Sequence, residues 1–419
     1  MAANAANIRT MQTALADFIR DTESGKEANA ILRTCVHCGM CNATCPTYQL
    51  LGDELDGPRG RIYLIKQMLE GSDVSGRTLT HLDRCLTCRN CETTCPSGVR
   101  YGRLLEIGRE LAEQKIERSW PDKLTRRVLR GIIPYPARFT PLLRLGQWLR
   151  PFLPAVFKRN IPEMRRAGPW PKAGQPRRML VLEGCVQPAI APDINAATAR
   201  VLDRLGISLG VARGAGCCGA ASHHTSCSRQ GRDLARRNID AWWPHIEAGA
   251  EAIVMTASGC GVHVKEYGYL LKDDPAFAAK AKRVTEMTRD IGEILSSEEL
   301  SKLYSSVKPT LKVAFHSPCT LQHGQKLNGL VEKILRAAGL TLTTVPEAHL
   351  CCGSAGTYSL LQKRLAHQLL SNKIGALASG SPDVIATANI GCLAHLQSGT
   401  ALPVRHWIEI LDTLLPARS

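Results

Sequence analysis

Cys35-Val-His-Cys38-Gly-Met-Cys41-Asn-Ala-Thr-Cys45-Pro46 and, fifty residues on, Cys85-Leu-Thr-Cys88-Arg-Asn-Cys91-Glu-Thr-Thr-Cys95-Pro96 decide how this chain is organised. Both read C-x2-C-x2-C-x3-C-P. Three thiols two residues apart can wrap a loop around one cuboidal cluster and reach three of its irons, while the fourth, beside proline, ligates the other cluster. The expected sets are therefore Cys35, Cys38, Cys41 and Cys95 for one 4Fe–4S cluster, and Cys85, Cys88, Cys91 and Cys45 for a second. Zinc also uses C-x2-C pairs. It takes four tetrahedral ligands from two separated pairs, however, and has no use for a third C-x2 step or a terminal Cys-Pro. Clusters joined by exchanged ligands lie close together, which fits one-electron relay, with a purely structural use as the alternative.

Further along, the chain repeats itself. Cys185, the pair Cys217-Cys218 and Cys260 recur as Cys319, the pair Cys351-Cys352 and Cys392, at offsets of 134, 134, 134 and 132 residues. Both pairs run into glycine, Gly219 and Gly353, and Gly259-Cys260-Gly-Val-His263 parallels Gly391-Cys392-Leu-Ala-His395. Agreement at so many stations implies an internal duplication. Met179–Leu182 and Ala252–Thr256 read as strands and Ala196–Leu205 as a helix, an alternation that predicts α/β layering on a mostly parallel sheet. In each repeat the four cysteines are candidates to converge on a soft metal centre, iron–sulfur or zinc. Against that stands a set of small buried residues, since free cysteine packs well. His263 and His395 are candidate fifth ligands, and Cys227, without a counterpart, is a bystander. Gly214-Ala-Gly216-Cys-Cys-Gly219 matches the dinucleotide fingerprint, but the second repeat has Ala348 and Leu350 where the first two glycines would stand, so neither NAD nor flavin is expected here.

Length and charge bound the remainder. With 419 residues and 44% apolar content, the chain can build several cores. Seventeen cysteines in so long a chain point to metal ligation rather than a disulfide framework. The segment Met1 to Asp21 lacks a basic start followed by an apolar core, and no apolar run is long enough to span a bilayer, so a cytoplasmic location is expected, with peripheral attachment to the cytoplasmic face of a membrane as an option. Of the net charge of +16, +13 falls between Lys115 and Arg178, on sixteen Lys and Arg against Glu117, Asp122 and Glu163. This basic stretch is rich in proline, so long uninterrupted helices are not expected in it, beyond a short amphipathic turn or two around Leu142, Leu143, Leu145, Trp148 and Leu149. Its prolines and the lack of a nucleic-acid module argue against nucleic acid as partner. Anionic lipid, a partner subunit or plain solvent remain. The expected domains are 1–115, helical with two clusters; 116–177, a basic connector; and two Cys-Cys-Gly α/β domains at 178–300 and 301–419.

Two ferredoxin-type runs followed by two Cys-Cys-Gly domains resemble the iron–sulfur subunit family of glycolate oxidase. Asp56-Gly-Pro-Arg-Gly60-Arg-Ile, His316-Ser-Pro-Cys319 and Thr387-Ala-Asn-Ile-Gly-Cys392 are similar to that family's segments, and the resemblance covers nearly the whole chain. It implies a hetero-oligomeric complex in which a flavin-bearing subunit oxidises glycolate to glyoxylate, and this chain passes electrons singly toward a quinone or other acceptor. Related architectures occur in subunits of anaerobic glycerol-3-phosphate dehydrogenase, lactate-utilisation proteins and heterodisulfide reductases. The last type ends each repeat in C-x-x-C. Here His263 and His395 replace that final cysteine, which argues against its unusual cluster and disulfide chemistry.

Overall fold

A computed structural model describes residues 10–154, 158–304 and 310–416. Residues 1–9, 155–157 of the connector, 305–309 and 417–419 lie outside the described residues. The chain divides into two compact units, one running up to Lys123 and including His349–Cys351, the other Leu124–Ala348 with Cys352 onward.

Short helices build the first unit around the two cysteine runs. The helix Glu23–Thr34 starts at Thr22, whose side chain accepts from the Gly25 amide, and its buried Ala28, Ile31 and Leu32 follow helical spacing up to Cys35. Pro58–Leu69 opens on proline, where a missing N–H costs nothing, and buries Ile62, Ile65, Met68 and Leu69. It stops before Gly71, whose φ of 92° is the left-handed turn a helix end favours. Tyr101–Lys115 adds Leu104, Leu105 and Leu111 to the same core.

The basic connector departs from its sequence reading. It carries two full helices, Trp120–Ile132 and Pro136–Leu149. Pro121 and Pro136 sit in first turns, Pro134 falls between the helices, and Pro141 lies inside the second, at the loss of one backbone hydrogen bond. The prolines thus punctuate helices rather than abolish them.

Beyond the connector lie two sheets of one topology. The first joins β1 (Arg177–Val181), β2 (Ile207–Val211), β3 (Ile253–Met255) and β4 (Thr288–Asp290) in the order β2-β1-β3-β4. The second joins β5 (Lys312–His316), β6 (Thr341–Leu342), β7 (Val384–Thr387) and β8 (Val404–His406) in the order β6-β5-β7-β8. All pairings are parallel, as the strand–helix alternation predicts. One apolar core runs through both halves, from Val181, Val201 and Val254 to Val313, Ile385 and Trp407. Polar ties reinforce it. The Ser258 amide donates to the Ala388 carbonyl (3.0 Å), and Arg200 grips Asp412 through Nε and Nη2 (3.0 and 2.6 Å).

The glycine after each cysteine pair has a mechanical reason. Gly219 and Gly353 have φ of 97° and 91°, and a Cβ on either would stand 2.7 Å from a helix carbonyl, that of Gly231 or Ala366. Each last strand then ends in a reciprocal capping box, Asp290 with Glu293 and His406 with Glu409. His406 is wholly buried. Its Nε2–H donates to the Thr256 carbonyl (2.8 Å) and its Nδ1 accepts from the Ile408 amide (3.3 Å), so the ring is neutral. Burial pushes its pKa down to about 3. The unfolded imidazole takes up a proton near pH 6.5 and the folded one does not, so stability falls as pH drops between those values. We predict that His406→Asn, which keeps a capping acceptor, removes about 1.4 kcal/mol per pH unit of that decline, read from urea midpoints between pH 6 and pH 4.

Candidate metal centres

The two cysteine runs fold alike. His37 and Thr87 both adopt φ of 55°, and Gly39 and Arg89, at 85° and 60°, continue the left-handed path. That path turns the His37 and Thr87 amides onto the Cys35 and Cys85 sulfurs, each at 3.4 Å. Two cavities result. One is lined by Cys35, Cys38, Cys41 and Cys95, the other by Cys85, Cys88, Cys91 and Cys45, with Cys91 and Tyr101 bordering both. The fourth cysteine of each run therefore lines the cavity of the other run. No three of these eight sulfurs lie within 4.8 Å of one another. The thiols surround a space instead of meeting at a point, a donor set that fits a cluster whose irons each take one thiolate.

Thiolates in such a site must be stabilised. Burial raises Cys35 and Cys91 and pushes Cys41 up to about 11. At Cys85 burial also acts upward, but the charges of Arg61 and Arg109, the Tyr101 hydroxyl (3.5 Å) and the Thr87 amide outweigh it and hold the thiol below its ordinary value. Arg61 borders the second cavity and is itself fully buried. Its Nε donates to the His81 carbonyl (2.7 Å), its Nη2 donates to the Thr47 hydroxyl (3.1 Å), and its charge is matched by Asp56. The buried Asp56 carboxylate also takes Arg84 (2.7 Å) and His81 Nδ1 (3.0 Å). Thr47 returns a hydrogen bond to the Asp56 carbonyl and stands 3.3 Å from the Cys45 sulfur. So Asp56-Gly-Pro-Arg-Gly60-Arg61 builds a buried cation against the thiols. The sequence marked that segment only as similar to a family's; nothing in it singled out Arg109 or Tyr101.

In the first Cys-Cys-Gly repeat, Cys185 follows β1, the pair Cys217-Cys218 lies in the loop beyond β2, and Cys260 sits in the helix after β3. The four thiols touch in series, Cys185 to Cys217, Cys217 to Cys218 and Cys218 to Cys260. Hydrogen bonds from Cys185 and Cys218 hold Cys217 well below its ordinary value, with the Gly219 amide and Arg237 assisting against burial. The buried Asn238 accepts from the Gly216 amide (2.9 Å) and donates to the Cys217 carbonyl (2.9 Å), while the Tyr267 hydroxyl donates to the Cys218 carbonyl (2.7 Å). Of the histidines named from sequence, His263 is buried 5.5 Å from the His223 ring and His395 is half-buried. Cys227 stands at the residue before the helix Ser228–Glu247, without a side-chain capping bond. In the second repeat Cys319, Cys351, Cys352 and Cys392 are all buried, and His316 joins Cys352 and Cys392 with ligand atoms within 4.8 Å of one another.

This architecture is that of an iron–sulfur protein with a ferredoxin-type region and duplicated cysteine-rich domains. Residues 31–99 match the 4Fe-4S dicluster domain family, and 179–265 and 313–397 each match the cysteine-rich domain family. Among curated proteins, the chain is 59% identical over 406 residues to the glycolate oxidase iron-sulfur subunit of Escherichia coli (strain K12), covering 97% of this chain and 99% of the relative. It is 29% identical to the probable glycolate oxidase iron-sulfur subunit of Bacillus subtilis (strain 168), over 88% and 89% of the two chains. Lactate utilization protein A of Bacillus licheniformis is 26% identical over 55% of this chain and 96% of its own. The chain belongs to the glycolate oxidase iron–sulfur subunit family.

Removing one member of a buried ion pair strands the other. Arg61→Met is predicted to destabilise the iron-loaded protein by about 3–5 kcal/mol in urea unfolding, and adding Asp56→Asn to restore part of that loss.

Proposed function

We propose that this chain is the iron–sulfur electron-transfer subunit of a glycolate oxidase complex. On this reading, a partner subunit carrying flavin oxidises glycolate to glyoxylate, and electrons leave through this chain toward a quinone or another acceptor. The observation that carries it is the pair of cysteine-lined cavities, each completed by the other run's fourth cysteine. We assign Cys35, Cys38, Cys41 and Cys95 to one 4Fe–4S cluster and Cys85, Cys88, Cys91 and Cys45 to the second, within a cluster-bearing domain at 1–115. Bound there, the clusters supply one-electron redox chemistry. The protein's own part is to keep both sites beside each other, compensate charge with Arg61 and Arg109, and donate to sulfur from amides and Tyr101. Domains 178–300 and 301–419 follow the connector 116–177. The serial thiols Cys185, Cys217, Cys218 and Cys260 are assigned to a further iron–sulfur centre.

Attachment to the cytoplasmic face of a membrane is the second part of the proposal. Among the described residues no helix is long and apolar enough to cross a membrane. The helix Pro136–Leu149 and the turn after it instead leave Leu142, Leu145, Trp148, Leu149 and Phe152 exposed, the last at 80%, within the basic connector. Exposed aromatic and aliphatic side chains among Lys and Arg suit the headgroup region of an anionic bilayer. In the preceding helix Arg127 is exposed, whereas Arg126 is buried and Arg130 donates to the Thr225 carbonyl.

Anaerobically purified protein is predicted to contain at least about eight irons per chain and to show broad visible absorption bleached by dithionite. Cys41→Ser combined with Cys95→Ser should cost about four of them; a colourless protein without iron sinks the proposal. For the membrane contact, Leu145→Glu with Trp148→Glu should move the subunit into the soluble fraction of lysed cells, and unchanged sedimentation with membranes refutes it.

A further inference from the structure

The two cysteine-rich repeats share a topology and four cysteines but differ at one buried strand-end position. At the end of β5 stands His316; the matching position after β1, 134 residues earlier, is Leu182. Both are buried. In the second repeat, ligand atoms of His316, Cys352 and Cys392 lie within 4.8 Å of one another. They come from three places: the end of β5, the Cys-Cys-Gly loop, and the helix Ile390–Gly399 that follows β7. β5 and β7 are the central neighbours of the sheet, from which the chain continues to β6 on one side and β8 on the other. The carboxyl ends of two such strands form the crevice where parallel α/β sheets bind ligands.

Two further facts concern the ligand. His316 is 2% exposed, and its Nε2 has no hydrogen-bond partner, a costly omission for a buried polar atom unless something else takes its lone pair. The spacing then separates a single ion from a cluster. Zinc holds sulfur at about 2.3 Å and nitrogen at about 2.0 Å, so tetrahedral donors on one ion stand roughly 3.5 Å apart. A triad closed to within 4.8 Å suits one ion. Neither the eight N-terminal cysteines nor the four of the first repeat bring three ligand atoms so close. The outer shell agrees, since Asn389 Nδ2 donates to the Cys392 sulfur (3.5 Å).

We propose that His316, Cys352 and Cys392 bind one zinc-class divalent ion in the second repeat, a mononuclear site distinct from the iron–sulfur centres. Two thiolates and a neutral imidazole carry the ion's two charges, and the buried Lys373 nearby accommodates a further anionic donor at the fourth position. The ion ties the ends of β5 and β7 to the Cys-Cys-Gly loop.

The test uses the full-length chain purified anaerobically as wild type, His316→Leu and His316→Cys, with zinc and iron measured on each sample by mass spectrometry. Leucine is already the residue at this station of the first sheet, so the fold tolerates it there, and circular dichroism verifies this. Wild type should hold about one zinc per chain, His316→Leu at least about tenfold less, and His316→Cys should retain it. Iron should be unchanged throughout. Replacing zinc with Co(II) should give thiolate-to-metal absorption that His316→Leu abolishes. Wild-type protein that fails to keep one added equivalent of zinc through desalting overturns the proposal, as does loss of iron instead of zinc in His316→Leu. The dithionite-bleached absorption reports the relay separately, so either reading can fail alone.

Discussion

Buried sulfur has to be charge-compensated, and the interior of this protein is arranged around that demand. A thiolate away from water is unstable unless cations or N–H donors face it. Arg59 borders the first N-terminal cavity, Arg61 and Arg109 act on Cys85 at the second, Arg237 on Cys217, and Lys373 lies near His316. Burying those cations carries its own cost, which explains the second layer of groups. Arg61 is the fullest example, with Asp56 for its charge and the Thr47 and His81 oxygens for its remaining donors. A buried ion pair of this kind is weak as a source of net stability. Its use here is to place a fixed positive charge beside the Cys85 thiol.

Duplication gave the rear half two copies of one parallel sheet, and packing them on a common core let individual positions diverge. The capping boxes show this at small scale. Asp290 opens the last helix of the first repeat and His406 that of the second, each with a glutamate three residues on. The histidine can serve because its ring, neutral and buried, also reaches the Thr256 carbonyl of the other repeat. Leu182 and His316 differ in the same manner at the strand end, one apolar and the other an imidazole.

The cysteine spacing, the two-fold offset and the strand–helix alternation were legible in the sequence, because each is a local or periodic property. A C-x2-C-x2-C loop fixes which sulfurs face one space, and a repeat of about 134 residues announces itself by residue identity alone. Prolines in the connector misled, since a proline's effect depends on whether it falls in a first turn, and Pro121 and Pro136 do.

By itself, then, the sequence determined the eight N-terminal cysteines, the family and the parallel α/β character of the rear half. Tertiary structure alone decided which cations stand against the thiols. Arg61 reaches Cys85 from one helix and Arg109 and Tyr101 from another, 24, 24 and 16 residues away. It also decided that His316, rather than His395 after the fourth cysteine, meets Cys352 and Cys392. Charge compensation and ligation act through space over a few ångströms, and distance along the chain carries no record of them.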